Sequence, residues 1–276
     1  MTTTATKPTA AVKPTTPMYD VLGPQGQRKV RNATWIGAGV VAILVALGLY
    51  QLGSHGQLSP DLWSVLLDRD LMRSVLKGLL ATIQVAIVAI VLSVVFGMIL
   101  AAMRMSDNRL LRGAVRVWVE IFRGLPLLVL IFFIFLGAPR FGIIVPTFWA
   151  LTIGISLYNS AVMSEIFRAG IASLPRGQAE AAAAIGMRKT QIFRIILLPQ
   201  GIRIMLPALI SQVVTIVKET SLGFVIGYTE LLRSGRVAVE YLGGQYAIPV
   251  YVLIAIIYLL MNVGLSKLAR RIDARS

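Results

Sequence analysis

Charged residues drop out of this chain in six places, leaving apolar stretches separated by short polar segments. The first runs from Thr34 to about Leu52 and the second from about Gly78 to Met103. The third, Gly124 to Pro139, is uncharged but short and borrows apolar residues from the VWVEIF segment before it. A fourth covers Phe141 to Ser164. The fifth begins near Ile204, is interrupted by Lys218 and Glu219, and resumes through Gly227, and the sixth lies between about Tyr246 and Ser266. At 1.5 Å per helical residue, about 20 residues cross a hydrocarbon core roughly 30 Å thick, so each stretch predicts a membrane-spanning helix. No sequence repeat suggests inverted halves.

Between the fourth and fifth stretches lies a different pattern, EAAAAIGMRKTQIFRIILLP from Glu180 to Pro199. Pro175 and Gly177 break the helix emerging from the membrane; Glu180 and four alanines then predict a short helix that Gly186 ends. A second helical stretch, Thr190 to Leu198, leads to Pro199, which is expected to stop it before the chain re-enters the membrane. Two readings stand for this loop. It is either an amphipathic helix lying on lipid headgroups, helped by Arg188, Lys189 and Arg194, or a small-faced helix held by another protein.

Composition agrees with the spans. Of 276 residues 57% are hydrophobic and 14% charged, and the mean hydropathy is +0.78, which excludes a soluble single-core domain and makes the chain an all-α integral membrane protein. The formal charge of +15 would point to nucleic acid in a soluble protein. Here the bases cluster in alternate loops, so no nucleic-acid partner is implied and the lipid bilayer is the surrounding medium. Lys7, Lys13, Arg28, Lys29 and Arg31 precede the first span. Arg104, Arg109, Arg112, Arg116 and Arg123 follow the second, a further group lies between Arg168 and Arg203, and Lys267, Arg270, Arg271 and Arg275 follow the sixth. Six crossings with both termini cytoplasmic satisfy every loop.

The expected organisation follows. Residues 1–33, rich in Thr, Pro and Ala, read as a disordered cytoplasmic tail. Residues 34–52 read as a retained helix, because the run is longer than a signal-peptide core and no clear cleavage site follows. Residues 76–267 form a core of five spans with the loop at 175–199, and 268–276 form a basic tail.

What is missing narrows the chemistry. With no cysteine and with His55 as the single histidine, the chain holds no disulfide, thiolate nucleophile, His triad or multi-His metal site. No GxxxxGK[ST] phosphate loop occurs, so the chain is not itself an ATPase.

The spacing Glu180-Ala181-Ala182, three residues, Gly186, nine residues, Ile196-x-Leu198-Pro199 resembles the signature cytoplasmic loop of permease subunits of binding-protein-dependent ABC importers. FRGLPLLV at Phe122 to Val129, YNSAVMSEIFRAGI at Tyr158 to Ile171, PRGQAEAA at Pro175 to Ala182 and KETSLGFVIG at Lys218 to Gly227 resemble its polar amino-acid branch. The similarity runs from about Leu76 onward. It departs at Leu125, where the family has Thr, and in the extra leading helix; the extended N-terminus is similar to that of actinobacterial glutamate permease subunits.

The resemblance implies a type I ABC importer transmembrane fold of about six helices with a cytoplasmic coupling helix. It further implies a second permease subunit, a separate ATP-binding subunit that uses ATP and magnesium, and an extracellular or lipid-anchored amino-acid-binding protein. No cofactor is expected on this chain. Gly177, Glu180, Ala181, Ala182, Gly186, Leu198 and Pro199 become the residues that couple to the ATPase.

Charged residues near the spans supply further candidates. Counted from Ile204, Lys218 lies roughly 21 Å into the bilayer, so it and Glu219 are costly unless they face protein or water. With Thr220 and Ser221 they are candidates for the substrate pathway; the alternative is a Lys218 that snorkels to the outer interface. Adjacent residues on a helix diverge, so Lys218 and Glu219 each need their own partner. Glu165 and Arg168, three apart, share a face and read as an interfacial ion pair. Arg123, before Gly124 and Pro126, reads as a topology anchor at a bent helix entrance, with gating as the other reading. A secondary transporter or channel with an interfacial loop is the competing function class.

Overall fold

The computed structural model describes residues 23–273, and the chain divides into two compact units, Met1–Leu58 and Ser59–Ser276. In the first, α1 spans Pro24–Ser54. Proline at the first helical position costs no hydrogen bond, because that N–H has no partner in any helix. The helix therefore starts ten residues before the expected span, and residues 24–33, expected as tail, are helical. The tail expected over residues 1–22 lies outside the described residues.

In the second unit, α2 (Pro60–Trp63) and a 3₁₀ turn (Ser64–Leu67) lead into α3 (Arg69–Arg104). The Asp68 carboxylate caps α3 by accepting from the N–H groups of Asp70 and Leu71. Next come α4 (Arg109–Gly124), α5 (Leu127–Phe132) with its π and 3₁₀ continuation to Phe141, and α6 (Thr147–Ala172). The loop carries α7 (Arg176–Ala184) and α8 (Lys189–Gln191). A π segment (Ile192–Leu197) then continues into α9 (Leu198–Glu219) and a 3₁₀ segment (Thr220–Ile226). The unit closes with α10 (Leu231–Leu242) and α11 (Ala247–Asp273). The tail expected at 268–276 is helical as far as Asp273.

Five helical stretches among the described residues are long and apolar enough to cross a membrane, and a broken pair, Arg109–Gly124 with Leu127–Phe141, makes a sixth bent by 100°. The expected borrowing from VWVEIF holds only across this bend, since the third stretch counts as a span together with α4. Leu125 is extended before Pro126, as the residue before a proline prefers, so α4 turns aside. It packs Val115 and Val119 against Ala161 of α6.

Pro199 does not stop its helix. The segment Lys189–Ile226 runs through it as one apolar stretch, and the turns that widen to π geometry at Ile192–Leu197 lie just ahead of the ring. A proline cannot donate to the carbonyl one turn back and clashes with it, and a locally wider helix relieves both problems. The same device appears at Phe133–Gly137, two residues before Pro139.

α3 and α6 form the centre of this unit. Along α3 a buried stripe of small residues, Ala86, Ala89, Ser93, Gly97 and Ala101, recurs every three or four positions, the spacing that brings one helix face close to a neighbour. A Cβ on Gly97 would lie 2.6 Å from the Met163 Cβ of α6. Around this seam Val85, Ile131, Leu151, Ile155 and Met163 are fully buried.

A second cluster joins α3, α10 and α11 through Leu71, Val75, Leu231, Val250 and Ile254. The amphipathic α10 was not foreseen, since Arg233, Arg236 and Glu240 make its sequence look like a loop. It is held at its start by Glu230, which is fully buried. The Glu230 carboxylate accepts from the N–H groups of Leu232 and Arg233 and from the Tyr258 hydroxyl at 2.8 Å each, so both buried oxygens have donors.

Candidate functional site

Pro175 interrupts the chain after α6, as expected, but Gly177 sits inside the first turn of α7 and breaks nothing. The helix therefore begins at Arg176, four residues ahead of Glu180. Its end is a Schellman motif. Gly186 has φ +84°, its N–H donates to the Ala183 carbonyl at 3.0 Å, and the Met187 N–H donates to the Ala182 carbonyl at 3.1 Å.

The alanines divide between two faces. Ala182 is buried and holds α7 down, while Gly177, Glu180, Ala181 and Ala184 are exposed beside Ile185, whose side is 80% open. A small, half-apolar ridge is thus left without a partner among the described residues. Leu198 and Pro199 lie apart from it, in the first turn of α9. The loop is tied to the α3–α4 turn by Lys189, whose Nζ donates to Asp107 at 2.6 Å. That ammonium holds the Asp107 carboxyl below its ordinary range, so the pair persists through neutral pH and is lost as pH falls through the lowered value.

The four candidates near Lys218 separate. Thr220 is buried and donates to the Val217 carbonyl, and the Ser221 hydroxyl donates to the Lys218 carbonyl, both at the junction where the helix tightens to 3₁₀ geometry. Glu219 turns toward α6, where the buried Asn159 Nδ2 donates to its Oε2 at 2.6 Å. Asn159 also donates to the Ile155 carbonyl and accepts from Gln212 Nε2. The Oε1 of Glu219 carries no hydrogen bond among the described residues. Asn159 and Gln212 escaped the sequence reading. The available signal was weak: Gln212 stands seven positions before Glu219, on the same helix face, and Asn159 is an isolated amide in an apolar run.

Lys218 points elsewhere. It is exposed and lines a cleft of about 530 Å³ with Ser211, Thr215 and Ser266, and it makes no ion pair among the described residues. Because the helix starts at Lys189 rather than Ile204, its depth does not follow from counting. We expect Lys218→Met to lower substrate uptake severalfold while assembly and basal ATP hydrolysis persist. Uptake at the wild-type rate would make the residue only an interfacial anchor.

Glu165 gathers more than Arg168. Arg168 donates through Nε to Oε2 at 3.0 Å, Arg104 of α3 donates to Oε1, and the Arg123 guanidinium of α4 stands 3.6 Å from Oε1. Three helices therefore meet at one carboxylate, and the interfacial pair is part of a larger hub. No group of His, Cys, Asp and Glu suited to a metal occurs among the described residues.

Residues 93–276 match the family described as "Binding-protein-dependent transport system inner membrane component". The glutamate transport system permease protein GluD of Corynebacterium glutamicum is 38% identical over 226 residues, covering 80% of this chain and 82% of its own. A probable glutamine ABC transporter permease protein, GlnP of Bacillus subtilis, is 37% identical, covering 72% of this chain and 91% of its own. The crystal structure of an amino acid ABC transporter with histidines superposes with a TM-score of 0.70 at 31% identity, covering 74% of this chain and 95% of that one. The family match begins within α3 and runs through the Glu180–Pro199 loop, and the chain belongs to the family of inner-membrane permease components of binding-protein-dependent ABC transport systems.

Proposed function

We propose that this chain forms half of the pathway of an importer for polar amino acids of the glutamate or glutamine kind. A second permease subunit, the same or different, completes the pathway. A separate ATPase subunit that uses ATP and magnesium seats α7 in a groove, and an extracellular or lipid-anchored binding protein delivers the substrate. The single observation that carries the coupling is the exposed ridge of Glu180, Ala181, Ala184 and Ile185, anchored below by Ala182 and closed rigidly at Gly186. Closure of the ATPase subunits would move this ridge as a body and shift the population between inward-open and outward-open states.

The substrate reading rests on Asn159, Gln212 and Glu219 and on the names of the relatives. A carboxylate with one oxygen unbonded suits the ammonium of a zwitterion, and the second N–H of the Gln212 amide suits its polar end. Both termini are cytoplasmic in the bacterial cell membrane in this reading. A reporter fused after Arg31 that is active only when exported should stay silent there, and activity would reverse the topology.

The decisive experiment reconstitutes the four-part complex in vesicles and measures uptake of labelled glutamate and glutamine against a competition panel. Uptake should require internal ATP and external binding protein. Uptake driven by an ion gradient with neither present would favour a secondary carrier.

A further inference from the structure

The Glu165 hub is not neutral. Three guanidinium groups surround one carboxylate, leaving an excess of two positive charges. The carboxylate oxygens are already engaged: Oε1 accepts from Arg104 and Oε2 accepts from Arg168. Arg123 is the group left over. At 3.6 Å it is too far from Oε1 to hydrogen-bond, it makes no hydrogen bond among the described residues, and its side chain is 49% exposed. A guanidinium presents five donors and accepts nothing, in a fork that matches a carboxylate.

Those donors border a cleft of about 550 Å³ between α6 and α9, lined also by Glu165, whose oxygens are engaged by Arg104 and Arg168, by Ser173, and by small and apolar residues including Ala169, Gly170, Ile204 and Ala208. Ala208 shares a face of α9 with Ser211, Thr215 and Lys218, which line a separate cleft with Ser266 of α11. Polar and charged side chains in a spanning helix face water or protein rather than lipid tails. Along α6, Glu165 lies six residues beyond Asn159, about 9 Å further toward the coupling loop. The Asn159–Gln212–Glu219 cluster and the excess of guanidinium charge at Glu165 therefore stand along one helix, the charge nearer the coupling loop.

We infer that this inner cleft is a second, cytoplasm-facing oxyanion site, in which Arg123 holds the carboxylate of a free amino acid leaving or re-entering the pathway. The inference rests on the amino-acid reading above. The two excess charges favour an amino acid with a net negative charge, and the small residues of the wall leave room for its side chain. Occupancy from the cytoplasmic side would oppose further uptake, since this cleft must empty before the next cycle. A phospholipid phosphate offers the same oxyanion chemistry, and the test separates the two sources.

The complete permease–ATPase complex is placed in nanodiscs of phosphatidylcholine, without binding protein, and titrated with labelled glutamate. The expected result is saturable binding that Arg123→Gln weakens roughly 10- to 100-fold, the weight of a charge-assisted contact, and that Arg123→Lys weakens less. In vesicles, internal glutamate should slow uptake by the wild type and not by Arg123→Gln. Binding that is absent from the wild type, or unchanged in both Arg123 variants, overturns the inference. So does an Arg123-dependent retention of anionic phospholipid with amino-acid binding unaltered, which would assign the cleft to lipid. Failure of the wild-type complex to take up any amino acid would instead overturn the function on which the inference rests.

Discussion

Gly186→Val should leave the protein inserted in the membrane and abolish coupled transport. No span is altered, so insertion is spared. At φ +84° a residue with a Cβ is strained by roughly 1–2 kcal/mol, and a β-branched one by more. Nothing lies within 4 Å of the place a Cβ would occupy, so the effect arises in the backbone and not from a clash. Relief requires a different turn after Ile185, which breaks the bonds from Gly186 to Ala183 and from Met187 to Ala182 and re-aims α7 against its partner. A graded series checks the cause. Asn, which tolerates left-handed backbone, should be mildest, Ala intermediate and Val worst, read as co-purified ATPase subunit and substrate-stimulated hydrolysis in vesicles. A Val variant that keeps both would make the loop an interfacial helix.

Gly97→Val should have the largest effect on stability. The added Cβ would stand 2.6 Å from the Met163 Cβ, 3.2 Å from the Ser160 carbonyl oxygen and 3.3 Å from the Ser164 nitrogen. Two of those three atoms are backbone of α6, and backbone cannot swing aside as the end of a side chain can. Overpacking of this kind costs about 1–3 kcal/mol and more when the neighbour is rigid, and α3 and α6 are the pair about which the other spans are arranged. The expected result is a sharp fall in monodisperse protein after detergent extraction and a lowered melting midpoint, with Gly97→Ala in between. Gly113→Val on α4, where nothing lies within 4 Å of a new Cβ, is the control. Equal midpoints for the two valine variants would contradict the packing seen here.

Membrane spans were legible because crossing about 30 Å of hydrocarbon demands some 20 apolar residues in a row, a requirement written in consecutive positions. The break at Gly186 was legible for a similar reason, since a backbone at positive φ is a local need that one residue type meets cheaply. The limits of local reading show at Pro199 and at α10. A proline normally ends a helix, and only the wider turns of Ile192–Leu197 reveal that this helix accommodates it. The α10 segment carries three charges and looks like a loop until Ser234, Gly235 and Ala238 are seen pressed into the bundle.

The composition, the spans, the loop signature and the absence of an ATP site followed from the chain's own order of residues. Which polar groups meet did not. Asn159 and Glu219 are sixty positions apart, and Arg104, Arg123 and Glu165 come from three helices. Their meeting is set by how closely α3, α6 and α9 approach. That distance is fixed by small residues and side-chain volumes on several helices at once, a property of the packed bundle and of no single segment.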